Sequence, residues 1–189
     1  GGGWVVGGGG RDGWDGLFRE SLDPGRVLTA ALPRTPADRS GTWQRGPPPG
    51  IGLILVKDQL PAADAFLHAA ATEVIIRTYD GTRSDTASLV ELVGQILAQE
   101  QATQVRSLGL VTHGDAGTVH LSAREGWSQE SLSLQHDALV SLGELLSPDA
   151  SVLFFSCNVA ATASGRGFLA GFSQLTGASV FASDDPVGN

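Results

Sequence analysis

Residues 84–114 read SDTASLVELVGQILAQEQATQVRSLGLVTHG, and this stretch decides the fold. Its first half places Leu89, Leu92, Val93, Ile96 and Leu97 at i, i+3, i+4, i+7 and i+8, one face of an α-helix with Ser84 or Asp85 as its N-cap. Its second half, from Val105, is a short apolar run that breaks off at His113 and Gly114, the profile of a strand covered on both faces. The same alternation continues in both directions.

Upstream, IGLILVKD (51–58) reads as a buried strand ending at Asp58. QLPAADAFLHAAA (59–71) reads as a helix placing Leu60, Phe66, Leu67 and Ala70 inward, and VIIRTYD (74–80) as a strand ending at Asp80. Downstream, TVHLSA (118–123) reads as a short hairpin arm, and LQHDALVSLGELLS (134–147) as a helix with Leu139, Leu142, Leu145 and Leu146 toward the core. ASVLFFSCNVA (150–160) is a strand ending near Cys157. GRGFLAGFSQLTG (165–177) is a helix burying Phe168, Leu169, Phe172 and Leu175 and closed by Gly177, and ASVFASDD (178–185) is a last strand.

Continuous apolar strands alternating with helices predict a mainly parallel sheet flanked by helices, an α/β fold. Right-handed crossovers put every strand C-terminus on one edge, where open α/β sheets bind ligands. Asp58, Asp80, His113, Cys157 and Ser183 to Asp185 all fall there. No GxGxxG follows the first strand and no GxxxxGK[ST] occurs, so no phosphate cradle for a nucleotide is present.

Composition divides the chain. Of 189 residues, the first 50 hold half of the 26 Gly and six of the nine Pro, with six basic and five acidic residues; the rest hold six basic and fifteen acidic. Residues 1–50 therefore read as a mainly irregular linker or lead, with an extended arm carrying Trp4 and Trp14 onto the body as the other reading. Residues 51–189 read as one domain. An acidic body without a basic stripe disfavours nucleic-acid binding. No apolar run approaches the roughly 20 residues that span a bilayer, and no signal peptide is visible; a chain beginning with Gly reads as a fragment or processed piece.

The single cysteine, Cys157, excludes an internal disulfide and a multi-thiolate zinc site. A thiol has a pKa near 8.5, and a neighbouring imidazole or helix N-terminus raises its thiolate fraction. LVTHGD and LFFSCNVA put one imidazole and one thiol at the ends of two apolar strands. If those strands are neighbours the two ends lie about 5 Å apart, and a nucleophile and base dyad becomes possible. Gly114, lacking a Cβ, lets its amide approach a substrate oxygen. His68, His120 and His136 lack a helical i, i+4 pair and read as surface or capping residues, with His120 near the cleft. Trp127 reads as a packing residue or as the rim of a peptide groove. No GxSxG elbow supports a serine hydrolase.

LGLVTHGDAGTVHLS (108–122) and DASVLFFSCNVAATASGRGFLAGFSQLTGASVFASDDPVGN (149–189) resemble the DUF4347 domain of large bacterial secreted or surface proteins, over residues 51–189. That domain in turn resembles the caspase, gingipain and clostripain superfamily of cysteine peptidases. The resemblance implies a caspase-like three-layer sandwich, Cys157 as nucleophile, His113 as general base and Gly114 beside the oxyanion site. It implies a peptide or protein substrate, with the chain's own parent polypeptide as one candidate, and an extracellular or cell-surface location. Several basic-residue-directed members carry an acidic residue two positions before the cysteine, where this chain has Phe155. Asp58, Ser183, Asp184 and Asp185 are the remaining candidates for a substrate pocket. The mechanism requires no cofactor; calcium activates some relatives, but no EF-hand pattern is present. A non-catalytic recognition or spacer module at the head of an adhesin is the alternative expectation.

Overall fold

The structure, a computed structural model, describes residues 50–60 and 74–185 together with the backbone of residues 4–7. The helix expected over 59–71 and His68 lie outside the described residues. The strands are β1 (Trp4–Gly7), β2 (Ile51–Lys57), β3 (Val74–Tyr79), β4 (Val105–Val111), β5 (Gly114–Asp115), β6 (Thr118–Val119), β7 (Leu146–Phe155) and β8 (Ser179–Ser183). The helices are α1 (Thr86–Gln99), α2 (His136–Leu145) and α3 (Ala163–Thr176).

The main sheet runs β1-β8-β7-β4-β2-β3. Five strands are parallel, and β1 adds antiparallel to β8 with Trp4 opposite Ser183. Within a head read as mainly irregular, Trp4–Gly7 is thus an edge strand. The fold is the expected α/β arrangement with a mostly parallel sheet flanked by helices. From β2 the chain moves to β3 on one side and then to β4, β7 and β8 on the other, so the strand order reverses between β2 and β4. In open α/β sheets such a reversal is where strand-end loops diverge and ligands bind.

Side-chain alternation along the strands separates two apolar faces. Leu53, Leu55, Leu110, Val152 and Phe154 point into the larger core with residues of all three helices; Ile54, Val56, Ile76 and Val111 form a second cluster on the other face. Phe154, Phe168, Phe172 and Trp127 interlock in the larger core, with Phe154 and Phe172 edge to face at 5.2 Å. Each fully buried Phe contributes about 1.5–3 kcal/mol. Trp127 is buried, and its Nε1 donates to Thr86 Oγ1 at 2.7 Å, so it packs rather than rims a groove.

Local signals set the helix ends. Asp85 caps α1 in a reciprocal box with Ser88, and Gly177 closes α3 in the left-handed conformation. β4 and β7 are shorter at their ends than expected, stopping at Val111 and Phe155. Leu146 starts β7 instead of ending α2, because its backbone pairs with Val105. Among the described residues, no helix is long and apolar enough to cross a membrane.

Candidate active site at the strand ends

β4 and β7 are direct parallel neighbours, with Val111 opposite Phe155. Two residues further along each chain stand His113 and Cys157. Thr112 N donates to Phe155 O at 3.4 Å, a bond that belongs to this last pair, and both strands end there. The same counting from Val56 opposite Thr78 and Val111, and from Phe154 opposite Ala182, extends the row to Asp80, Asp58, His113, Cys157 and Asp185 across five strands. Parallel strands are about 4.8 Å apart, and His113 and Cys157 each follow the end of one of two adjacent strands by two residues. His113 is exposed and Cys157 half-buried. Thr112 and Ser156, of the opposite parity, are buried.

Gly114 packs against the segment that carries the thiol. A Cβ on it would lie 2.8 Å from Ser156 Cβ, 2.9 Å from Cys157 O and 3.0 Å from Val159 Cγ2. Gly114 and Asp115 also form one arm of a hairpin with Thr118 and Val119. His120 N donates to His113 O at 2.9 Å, the bond that flanks the facing residues Gly114 and Val119. In an antiparallel ladder, facing residues flanked by such bonds direct their own N–H and C=O outward. Val119 accordingly turns its N and O outward to Trp127, at 2.9 and 2.8 Å. Its partner Gly114 therefore directs its amide off the hairpin.

Beyond Cys157 the chain turns sharply. Asn158 adopts φ 57, a left-handed conformation that Asn tolerates better than most residues. Its N–H donates to Asp185 O at 3.2 Å, and Ala160 N to Ser183 O at 3.0 Å, so the end of β8 is bonded to the turn after the cysteine. Ser183 is buried and its hydroxyl accepts from Asp185 N at 3.1 Å; Asp184 is half-buried and Asp185 exposed. Thr162 then caps α3 by accepting from Gly165 N.

The carboxylates of β2 and β3 are engaged in turns. Asp58 accepts from Gly81 N at 2.9 Å, and Asp80 accepts from Thr82 N and Arg83 N at 2.7 and 3.1 Å. These amides, Thr82 first, hold the Asp80 carboxyl below its ordinary range. His120 Nε2 lies 2.7 Å from Asp115 Oδ2, and His136, the first residue of α2, is exposed beside Asp137. Among the described residues, no three His, Cys, Asp or Glu side chains converge to hold a metal ion.

Three residues of this region escaped the sequence reading. Lys57, Tyr79 and Thr112, from the ends of β2, β3 and β4, all donate to the carbonyls of His120 and Leu121. The signal available was Lys57 itself, the chain's one lysine, at the end of an otherwise apolar strand.

A family model for a domain of unknown function, DUF4347, matches residues 53–189. Searches of characterised proteins and of solved structures return no match.

Proposed function

As the chain belongs to the DUF4347 family, a domain of unknown function, we propose that it is a caspase-like cysteine endopeptidase acting through Cys157 and His113. The observation that carries this reading is the register. β4 and β7 are adjacent, and the imidazole and the thiol stand the same number of residues past the pair Val111 and Phe155.

In the proposed reaction the His113 imidazole takes the Cys157 thiol proton as sulfur attacks the scissile carbonyl. The carbonyl π electrons move onto oxygen, and the outward Gly114 amide donates to that oxyanion. Collapse expels the amine, which receives the proton from His113, and leaves a thioester. Water, deprotonated by the same imidazole, then releases the acid and restores the thiol. The substrate is a peptide or protein, with the parent chain as one candidate, and the setting is extracellular or at the cell surface. The exposed Asp185 carboxylate in the same row favours a substrate with basic residues near the cut.

The test is cleavage of a diverse peptide library by the wild type, Cys157→Ala and His113→Ala, with an electrophilic peptide probe on the same proteins. Cleavage and labelling are expected for the wild type and for neither variant. A folded wild type that neither cleaves nor labels overturns the peptidase reading and leaves a recognition module.

A further inference from the structure

The chain's one lysine, Lys57, is 6% exposed at the end of β2, and the proposed reaction gives it no part. Lysines are almost never fully buried unless paired. Its stem lies across Gly81, where a Cβ would come within 2.5 Å of both Lys57 Cγ and Cε, so the stem occupies the space of the missing side chain. Burial lowers the pKa of the ammonium, with neighbouring Asp58 acting in the opposite sense.

Among the described residues this ammonium has one hydrogen-bond acceptor, the carbonyl of His120, at 3.3 Å. Thr112 Oγ1 donates to the same carbonyl at 2.5 Å, and the Tyr79 hydroxyl donates to the next one, Leu121, at 3.0 Å. Donors from three adjacent strand ends therefore converge on two successive carbonyls. On its other side His120 holds the backbone of His113 through its N–H. A nucleophilic lysine would need to reach a ligand, and this side chain is closed off. A lysine that fixes a backbone needs only the bond observed.

We infer that Lys57 is a positioning residue, an ammonium latch on the His120 carbonyl that ties the hairpin to the sheet and so fixes the backbone of His113. The latch crosses the place where the strand order reverses, between β2 and β4, where neighbouring loops diverge and the sheet itself supplies least support. Its effect on rate rests on the proposed peptidase reading; its effect on hairpin stability does not.

The experiment compares the full chain with Lys57→Met, which keeps the stem and removes the donors, and Lys57→Arg, which keeps a donor. In Lys57→Met, amide hydrogen exchange over residues 112–121 is expected to accelerate by about tenfold or more, with α1 and α3 unchanged. On a cleaved peptide, kcat is expected to fall by about tenfold with KM within about twofold, and Lys57→Arg to recover most of both effects. Unchanged exchange in Lys57→Met overturns the latch, even where cleavage persists. A wild type without cleavage counts against the peptidase reading alone, and exchange still decides the latch. If Lys57→Met does not fold, lysine-selective isotope labelling of the wild type decides instead, since it yields a single ammonium resonance. Slow proton exchange and contacts to His120 support the latch, and a solvent-like signal overturns it.

Discussion

Gly114 lies against the backbone of Cys157 so closely that a single methyl group on it would stand 2.9 Å from the Cys157 carbonyl oxygen. The segment after β4 and the turn after β7 thus approach to a distance that only a residue without a side chain allows. Two of the three nearest atoms, Ser156 Cβ and Cys157 O, belong to chain that cannot swing aside as the tip of a flexible side chain can. Gly114→Ala is expected to cost about 1–3 kcal/mol through overpacking. It is also expected to slow labelling of Cys157 by the peptide probe more than labelling by a small thiol reagent. Equilibrium denaturation and the two labelling rates measure this; equal slowing of both would show that the methyl does not act on the site.

Ser156, directly before the nucleophile candidate, is 1% exposed, and its hydroxyl has no hydrogen-bond partner among the described residues. A buried unsatisfied hydroxyl costs about 1–3 kcal/mol, whereas an apolar group of similar shape costs nothing of the kind. Ser156→Ala is therefore expected to raise stability by about 1 kcal/mol. Urea unfolding checks it, and a loss of stability would reveal a bond to this hydroxyl.

Asp85 is expected to make α1 sensitive to acid. The Ser88 amide, the largest cause, and the Ser88 hydroxyl hold its carboxyl below the ordinary value of 3.8. A folded-state pKa below the unfolded one means that the contribution is complete above the unfolded value and is lost as pH falls through the folded one. Because the group is exposed, the cost of Asp85→Ala is that of losing a cap, about 1 kcal/mol at neutral pH, with Asp85→Asn within a few tenths of wild type. The difference between wild type and Asp85→Ala should shrink as pH falls below the ordinary value of 3.8 and through the lowered folded-state one, as read from denaturation midpoints.

Tyr79 is the chain's one tyrosine, so ultraviolet difference titration reports it alone. Burial raises its pKa from 10.0 to about 12; the Thr112 hydroxyl opposes the shift and Asp58 adds to it. A folded value above the unfolded one means stability that is complete below pH 10.0 and lost as pH rises toward about 12. The loss amounts to roughly 2–3 kcal/mol. Lys57, whose pKa is lowered, acts in the opposite sense between its folded value and 10.5, so the comparison with Tyr79→Phe isolates the phenol. That variant should lose about 1 kcal/mol at neutral pH, from the bond to Leu121 O, and lack the phenol's alkaline loss. Phenolate formation near pH 10 in the folded protein would contradict this assignment.

Much of the architecture was legible because burial leaves a local trace. Leu89, Val93, Ile96 and Leu97 recur at helical spacing and are all buried, and the Asp85 cap follows from its chemistry. Polar residues at the ends of apolar runs located Asp58, Asp80, His113 and Cys157. Less legible was backbone pairing that side chains do not announce. Ser147 read as the end of a helix, and Pro148 and Asp149 fell between that helix and the next strand, yet all three lie in β7, whose pairing begins with Leu146 opposite Val105 and passes through a register shift. Trp4, Val5 and Val6 are three apolar residues among glycines, and only the open edge of β8 makes a strand of them.

The sequence by itself determined the alternation of strand and helix from Ile51 onward and which polar residues follow each apolar run, since periodicity and capping are properties of neighbours along the chain. Only the tertiary structure decided that β4 lies beside β7, that Val111 and Phe155 are in register, and that Lys57 reaches His120 across 63 residues of chain. Those relations arise from the packing of crossover connections against a twisted sheet. No local pattern of residue types encodes which strand end comes to rest beside which.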